Sequence, residues 1–262
     1  MKPIKNFPQE TSSSIQYLLT DIDDTITHEG RIPASAFMAL ENLSKAGIKV
    51  IPITGRPAGW CDHIARMWPI DGIVGENGAF YFVYDDRARK MIRRYFKTEE
   101  EREQDHIKLA AINQKILQSV SGCVVSADQA YREADLAIDF AEDVPPLSQD
   151  DIDKIVHIFE QDGATAKISS IHVNGWFGNY DKLSMTKLMF KEMFKIDLDA
   201  IKEQVVFSGD SPNDEPMFEY FPNAVGVANV LEFQSSLTFK PAWITEGKGG
   251  AGFAELAKII LQ

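Results

Sequence analysis

Short apolar runs alternate with amphipathic stretches along the first part of the chain. Ile15–Thr20 and Ile48–Ile53 are apolar runs of strand length, and Gly72–Val74 is a third. Between them, Ala34–Ala46 carries apolar residues at helical spacing, and Trp60–Met67 predicts a second helix. Strand, helix, strand, helix and strand in this order predict a parallel sheet with right-handed crossovers.

The pattern changes in the middle of the chain. Ala79–Tyr84 and Lys90–Phe96 flank the polar stretch Asp85-Asp86-Arg87 and predict a hairpin. The segments that follow predict helices over Thr98–Val120 and Leu147–Gln161 and strands over Cys123–Ala127, Leu136–Phe140 and Ala164–Asn174. This block has α+β character and contains no motif of its own.

From Lys182 onward, predicted helices and strands alternate again as they do in the first part of the chain. The patterns predict helices over Lys182–Phe194, Asp214–Tyr220 and Gly252–Leu261 and strands over Val205–Ser208, Val225–Val227 and Ala242–Thr245. The sequence therefore predicts an α/β core, residues 1–86 and 179–262, interrupted by an inserted α+β domain at residues 87–178. The N-terminal MKPIKNFPQETSSS has no apolar stretch of the kind found in signal peptides and predicts a short flexible lead-in.

Composition and charge narrow the classes of function. A formal net charge of -12 argues against nucleic acid as a partner, because phosphate backbones are neutralised by clustered lysine and arginine. A local cation can still capture one small phosphate. No apolar run reaches the length that spans a bilayer. The two cysteines, Cys61 and Cys123, lie far apart, which predicts a reduced, cytoplasmic protein.

Three polar clusters begin where predicted strands end. Asp21-Ile22-Asp23-Asp24-Thr25 follows the first strand, Thr54-Gly55-Arg56 the second, and Gly209-Asp210-Ser211-Pro212-Asn213-Asp214 a later one. Ligands of open α/β sheets bind outside the carboxyl ends of the strands. Each cluster taken alone could be a turn or a helix cap. All three in order, each at a strand end, predict one shared site.

The residue types in these clusters suit covalent phosphoryl transfer. A carboxylate can attack phosphorus to give an aspartyl-phosphate, and a second acid can protonate the leaving alkoxide. Asp21 and Asp23 are the candidate pair. Crowded carboxylates repel one another unless a cation is present, and Mg²⁺ prefers few carboxylates together with waters and phosphate oxygens. The predicted magnesium ligands are Asp21, the backbone carbonyl of Asp23 and Asp210, with Asp214 in support.

The substrate phosphate needs donors of its own. Thr54 offers a hydroxyl beside backbone N–H groups at a helix start, and Gly55 and Asn213 are further candidates for phosphate binding. A cation completes the set. Lys182 begins a helix that re-enters the α/β core and is favoured over Lys187, which lies in the middle of the same helix. Both lysines stay open at this point.

These motifs resemble those of the haloacid dehalogenase (HAD) superfamily of phosphatases. The family pattern of Asp-x-Asp-x-Thr, Ser or Thr, Lys and Gly-Asp-x-x-x-Asp is matched by DIDDT at 21–25, Thr54 in ITGR, Lys182 in YDKLS and GDSPND at 209–214. ITGR and GENGAF resemble the Cof-type or sucrose-phosphatase-like branch, subfamily IIB, which carries a large α/β cap after the third strand. The resemblance implies a Rossmann-like core, a mobile cap, Mg²⁺, and hydrolysis of a sugar phosphate or a similar small phosphorylated metabolite. It also implies that Asp21, rather than Asp23, is the nucleophile.

Two departures and several alternatives accompany this resemblance. Asp24 stands where many relatives have glycine, and the stretch from Lys182 to Asp210 is longer than in many Cof-type relatives, which keeps Lys187 open. A phosphomutase would share the nucleophile but protect the intermediate from water, whereas a non-catalytic phosphate-binding regulatory module would carry a broken motif. Asn77 can be a hairpin turn or a substrate contact. Arg56 can bind substrate or form a surface ion pair.

Overall fold

The computed structural model describes residues 1–262 and contains thirteen strands and nine α-helices. The strands are β1 (Lys2–Pro3), β2 (Tyr17–Thr20), β3 (Lys49–Pro52), β4 (Ile73–Gly75), β5 (Phe80–Asp85), β6 (Lys90–Tyr95), β7 (Val124–Val125), β8 (Asp135–Asp139), β9 (Thr165–Ile168), β10 (His172–Trp176), β11 (Val205–Gly209), β12 (Ala224–Gly226) and β13 (Trp243–Ile244). The helices are α1 (Gln9–Ser14), α2 (Ala34–Lys45), α3 (Ala58–Met67), α4 (Glu99–Ser119), α5 (Gln149–Gln161), α6 (Lys182–Met189), α7 (Leu198–Ile201), α8 (Glu215–Tyr220) and α9 (Gly249–Ile260).

A six-stranded parallel sheet with the order β1-β13-β12-β11-β2-β3 forms the core and confirms the predicted fold class. Leu18 of β2 lies between Val206 of β11 and Val50 of β3, so the segments carrying the first, second and last polar clusters are neighbours. Every residue of β2 and β11 is buried. Continuous apolar runs of this kind are typical of parallel strands covered on both faces.

Helices cover both faces of this sheet. Leu18 faces one apolar cluster, which includes Leu40 of α2 and Leu256 of α9. The next residue, Leu19, faces a second cluster with Met185 of α6. Successive strand side chains point to opposite faces, so one short apolar run supplies both layers. None of the helices has the length and apolarity that crossing a lipid bilayer requires.

The N-terminal segment is ordered, and the prediction of a flexible lead-in is wrong. Strand β1 pairs in parallel with β13 at the edge of the sheet, and Ile4 is fully buried. The Ser12 hydroxyl donates a hydrogen bond of 2.7 Å to the carbonyl of Ile259 in α9. A strand of two residues and isolated buried side chains such as Ile4 and Ser12 produce no periodicity in the sequence. The pattern of apolar and polar positions therefore does not predict them.

The predicted hairpin is confirmed as part of an antiparallel sheet of β4, β5 and β6. A parallel bridge between Ile53 and Val74 connects this sheet to the end of β3. Strand β6 pairs with β5 along its whole length, from Phe80 opposite Tyr95 to Asp85 opposite Lys90. The boundary predicted at residue 87 therefore falls in the turn of this hairpin. We call the segment from α4 to β10, residues 99–176, the insert.

The insert has its own sheet and its own apolar cluster. Four antiparallel strands in the order β7-β8-β10-β9 pack against α4 and α5 through a cluster that includes Leu109, Ile138 and Phe159. The single strand predicted over Ala164–Asn174 is wrong, because β9 and β10 form a hairpin. The Ser169 hydroxyl accepts a 3.0 Å hydrogen bond from the His172 N–H, a local serine turn that apolar alternation does not reveal.

Candidate active site

The three polar clusters meet at one edge of the core sheet. Strands β11, β2 and β3 are parallel neighbours, so their carboxyl ends lie side by side. Asp21 directly follows β2, Asp210 follows β11 and Thr54 follows β3 closely. The structure thus brings together residues that lie far apart in the sequence, at the edge where parallel sheets bind ligands.

Lys182 lies at the centre of this site. Its Nζ atom is 2.7 Å from Asp21 Oδ1 and 2.7 Å from Asp214 Oδ1, and the side chain is buried. Burial would lower the pKa of Lys182, but the two carboxylates outweigh that effect and raise it. Lys187 instead pairs with Asp199 on the exposed side of α6. Of the two candidate lysines, the structure places Lys182 in the site.

Asp181 explains why Lys182 is held in place. The Asp181 carboxylate accepts a hydrogen bond from the Ser184 N–H, and the Ser184 hydroxyl accepts one from the Asp181 N–H, which forms a reciprocal capping box. Helix α6 therefore begins at Lys182, and its first side chain points at the carboxyl ends of the strands.

Three carboxylates form a compact buried cluster. Asp21, Asp210 and Asp214 each contribute an oxygen, and these oxygens lie within 4.8 Å of one another. Asp210 Oδ1 accepts a 3.2 Å hydrogen bond from the Thr25 hydroxyl, whereas the buried Asp210 Oδ2 has no hydrogen-bond partner in the protein. A buried carboxylate oxygen without a donor is unfavourable unless a cation binds it. The donor set and the orphaned oxygen fit Mg²⁺, which takes hard oxygen ligands.

The electrostatics of the cluster lead to the same conclusion. Burial raises the pKa of Asp21 to about 8, Lys182 opposes this shift, and the charges of Asp214 and Asp23 add to it. Burial and the charge of Asp21 raise the pKa of Asp210 well above its ordinary value. Acids this crowded hold either a proton or a cation, so a bound cation would favour the ionised carboxylates that nucleophilic attack requires.

The predicted phosphate-binding residues surround Asp21. The Thr54 hydroxyl is buried and accepts a 3.0 Å hydrogen bond from the Arg56 N–H, which leaves its own proton free to donate. A side chain at Gly55 would approach Asn77 to 3.3 Å, so glycine allows this close packing. Asn213 Nδ2 lies 3.5 Å from Asn77 Oδ1.

Asn77 lies in the turn of the hairpin that joins β4 to β5, as one of its two interpretations held, and it also lies beside Asn213 of the site. It lies in a 3-10 turn before β5 with φ 54°, in the left-handed region that asparagine tolerates better than most residues. Its N–H donates to the carbonyl of Thr54 at 3.1 Å, and its buried Nδ2 has no partner in the protein. An unpaired buried donor beside Asn213 is suited to a ligand oxygen.

Arg56 is buried and joins the core to the insert, in contrast to the surface ion pair that its sequence context allowed. Its Nε donates to both carboxylate oxygens of Asp23, at 3.0 and 2.9 Å. Its Nη2 donates to Asp23 at 2.9 Å and to Glu142 at 2.6 Å, and Nη1 lies 3.4 Å from Asp128. Burial would lower the pKa of Arg56, but Asp23 and Glu142 outweigh it and raise that pKa.

Glu142 and Glu76 also make contacts between core and insert, and sequence reasoning missed both. Burial opposes ionisation of Glu142, but contacts with His172 and Arg56 outweigh it and lower the pKa to about 2. Glu76 is fully buried and accepts backbone hydrogen bonds from Ala58 in the core and from residues 133–135 of the insert. Burial and nearby Asp135 raise its pKa to about 8. Glu142 lies in no motif, and Glu76 lies in GENGAF, which indicated a branch of the family but no contact with the insert, so only their spatial partners reveal these contacts.

Two adjoining spaces lie between the core and the insert. The space next to Asp21 measures about 10 Å³, and residues from both sides close it, including Asn213 from the core and His172 from the insert. This is about the size of one water molecule. The second space measures about 440 Å³ and shares Asp23, Arg56 and the β9–β10 turn with the first. The space beside Asp21 is too small for a phosphate group as it stands in this structure.

Comparison with known proteins places the chain in a family. Residues 18–190 match the model of the haloacid dehalogenase-like hydrolases. A phosphoglycolate phosphatase of Methanoculleus marisnigri is 38% identical over 69 residues, which is 26% of this chain and only 30% of that relative.

Solved structures share the fold over nearly the whole chain. Protein 0175 of Thermoplasma acidophilum superposes with a TM-score of 0.70 at 19% identity, covering 94% of this chain and 98% of that one. The sucrose-phosphatase of Synechocystis superposes with a TM-score of 0.64 at 14% identity, covering 94% and 98%. The fold that the resemblance of ITGR and GENGAF implied is therefore confirmed. The chain belongs to the haloacid dehalogenase-like hydrolase family.

Proposed function

We propose that the protein is a Mg²⁺-dependent phosphomonoester hydrolase that acts on a small phosphorylated metabolite of the sugar phosphate class through an aspartyl-phosphate. One observation carries this proposal: Lys182 bridges Asp21 and Asp214 with 2.7 Å contacts, beside Asp210, at the carboxyl ends of adjacent parallel strands. A buried cation next to a carboxylate nucleophile is what transfer of a dianionic phosphoryl group requires.

In the first step, a carboxylate oxygen of Asp21 attacks phosphorus. The bond between phosphorus and the leaving oxygen breaks, and that oxygen takes a proton from the Asp23 carboxyl group. Lys182, the Thr54 hydroxyl and the N–H groups of Gly55 and Asn213 hold the phosphate oxygens. Arg56 fixes the orientation of Asp23 through three hydrogen bonds.

In the second step, Asp23 accepts a proton from a water molecule, and that water attacks the phosphorus of the aspartyl-phosphate. The bond to Asp21 breaks, free phosphate leaves and the Asp21 carboxylate is restored. Asp21, the backbone carbonyl of Asp23 and Asp210 would hold Mg²⁺, with Asp214 in support. When bound, the cation neutralises charge on the nucleophile and the phosphoryl oxygens.

We assign the insert the role of a mobile cap. The nearly closed space beside Asp21 supports this role, because closure excludes bulk water and an open state is needed for entry and release. The sucrose-phosphatase with the same fold was solved with sucrose and phosphate, which supports the sugar phosphate class.

Two buried, unpaired thiols support a cytoplasmic location.

A panel of phosphorylated metabolites tests the proposal. Purified protein is assayed for phosphate release with Mg²⁺, and with EDTA as the control. The Asp21→Asn variant is compared with Asp162→Asn, which removes an exposed carboxylate paired with Lys115. We expect metal-dependent release that Asp21→Asn abolishes and Asp162→Asn retains. Full activity of Asp21→Asn contradicts the proposal, and transfer of phosphate to a second sugar instead of its release indicates a phosphomutase.

A further inference from the structure

The 440 Å³ cavity beside Asp23 is the place for the leaving group. A general acid must contact the oxygen that it protonates, so the group attached to that oxygen extends into the space that Asp23 lines. The volume lies in the range of small-molecule sites. Only Ala141 and Ile171 of its lining residues are apolar, which suits a leaving group rich in hydroxyls. This assignment rests on the function proposed above.

The charges that line the cavity are strongly unbalanced. Asp23, Asp24, Glu29 and Glu142 contribute carboxylates, and Arg56 is the sole cationic side chain among the lining residues. Asp23 is protonated in the step that releases the leaving group, so Asp24, Glu29 and Glu142 against one guanidinium leave an excess of two negative charges on the wall of the cavity.

Arg56 has no donor left for a substrate. Its Nε and Nη2 atoms are bonded to Asp23, Nη2 and Nη1 also contact Glu142, and Nη1 contacts Asp128. The ion pairs among the lining residues are those of Arg56 with Asp23 and Glu142, so Asp24 and Glu29 face the cavity without a cationic partner. Asp24 is half-buried, and its carboxylate lacks the full hydration that an exposed acid keeps.

We propose that this cavity selects a hydroxylated leaving group that carries a protonated amine, as in an aminohexose phosphate, and rejects leaving groups that carry a second anion. An ammonium group offsets the charges of Asp24 and Glu29, and a neutral sugar gains only hydrogen bonds there. A carboxylate meets the two uncompensated charges of Asp24 and Glu29 and no free donor cation. The phosphate does not share this repulsion, because it binds at Asp21 beside Lys182, and neither of these residues lines the cavity.

This selection separates the chain from the relative found by sequence. Phosphoglycolate, which names that relative's activity, carries a carboxylate on its leaving group. The cavity described here has no free cation to receive that carboxylate. The two proteins are therefore expected to differ in substrate despite their similarity over 69 residues.

Three phosphorylated six-carbon sugar derivatives with the phosphate at C6 test the inference: glucosamine 6-phosphate, glucose 6-phosphate and 6-phosphogluconate. Phosphate release is measured at pH 7 with Mg²⁺, and p-nitrophenyl phosphate reports the general phosphatase activity. We expect kcat/KM to fall by about tenfold or more at each step from the amine to the neutral sugar and then to the acid.

Charge-reversed variants show whether the cavity causes the ranking. Glu29→Lys is expected to shrink the preference for the amine over the acid by about tenfold or more, since it removes one negative charge and adds a positive one. Glu103→Lys makes the same change in total charge on the exposed face of α4 and is expected to keep the ranking.

The outcomes separate this inference from the proposed function. If p-nitrophenyl phosphate and all three sugars are inert, the proposed function is wrong. If p-nitrophenyl phosphate is hydrolysed but the three sugars are inert, react equally or favour the acid, the charge selection is wrong and the phosphatase assignment stands. A ranking that Glu29→Lys and Glu103→Lys change equally shows long-range charge at work and also overturns the role of the cavity.

Discussion

Arg56 provides a sharp test of how the insert is coupled to the reacting groups. Its side chain is 5% exposed, and its guanidinium bonds to the acid Asp23 as well as to the insert residues Glu142 and Asp128. Arg56→Gln removes the charge and leaves three carboxylates facing one another. Loss of one partner from a buried ion pair costs about 3–5 kcal/mol. Because the Asp23 and Glu142 side chains are 19% and 27% exposed, we expect a loss nearer to about 3 kcal/mol.

The effect on activity depends on the leaving group if Arg56 orients Asp23. A hexose alkoxide needs a proton from Asp23, and general acid catalysis contributes about 10²–10⁴-fold, so Arg56→Gln is expected to slow release of a hexose about 100-fold or more. The p-nitrophenolate ion leaves without a proton, and its release in a single turnover is expected to slow by less than about tenfold.

Single-turnover rates of hexose release and of p-nitrophenolate release measure how differently Arg56→Gln slows the two leaving groups. Urea unfolding measures the loss of stability separately. Arg66→Gln is the matched control, because Arg66 forms an exposed pair with Asp62 and does not contact the site. We expect it to behave like the unchanged protein within about 0.5 kcal/mol. Equal slowing of both leaving groups by Arg56→Gln would refute the orienting role and leave Arg56 as a purely structural contact.

The remaining predictions concern pH, the lysine and the metal. Glu142 has a folded-state pKa of about 2, below its ordinary value of 4.5, so its contribution is complete above about pH 4.5 and is lost as pH falls toward 2. After discounting for exposure, we expect about 1–2 kcal/mol, measured as the difference in acid unfolding between Glu142→Gln and the unchanged protein. Lys182→Ala is expected to lose about 10³-fold or more in kcat, whereas Lys187→Ala keeps its activity within about twofold. Mg²⁺ is expected to raise the Tm of the unchanged protein, and Asp210→Asn is expected to abolish that rise. Asp210→Asn is also expected to stabilise the metal-free protein, because it removes the charge of one of three crowded carboxylates.

Each of these predictions has a contradicting result. Identical acid unfolding of Glu142→Gln and the unchanged protein argues against the low pKa. Loss of activity in Lys187→Ala with retention in Lys182→Ala reverses the assignment of the lysines. A Mg²⁺-dependent rise in Tm that persists in Asp210→Asn places the cation elsewhere.

The core of the site could be predicted because short local patterns encode it. DIDDT and GDSPND each follow an apolar strand, and parallel strands bring their carboxyl ends together whatever their separation in sequence. The choice between Lys182 and Lys187 was not encoded in this way, since both lie on one helix. It depends on where that helix begins, which the capping box of Asp181 and Ser184 decides.

The contacts between core and insert could not be predicted, because each depends on the packing of two separate units. Arg56 and Glu142 are 86 positions apart, and neither residue type nor spacing marks the pair. Glu76 looks like an ordinary acid beside a turn, yet it is fully buried and accepts backbone N–H groups of the insert. The apolar and polar residues over 164–174 alternate as they would in one strand, but the structure has a turn at Ser169. The Ser169 hydroxyl accepts the His172 N–H there, and so short a turn leaves no mark on the alternation.

Trapping the covalent intermediate tests the central claim most directly. The protein is mixed with Mg²⁺ and a hydrolysed substrate, quenched in acid within a turnover and treated with borohydride, which reduces an aspartyl-phosphate to homoserine. Peptide mapping by mass spectrometry then locates the modified residue. We expect homoserine at position 21 only, and none when substrate is omitted or in Asp21→Asn. Reduction at Asp23 or Asp210, or turnover with no reducible residue, would contradict the account.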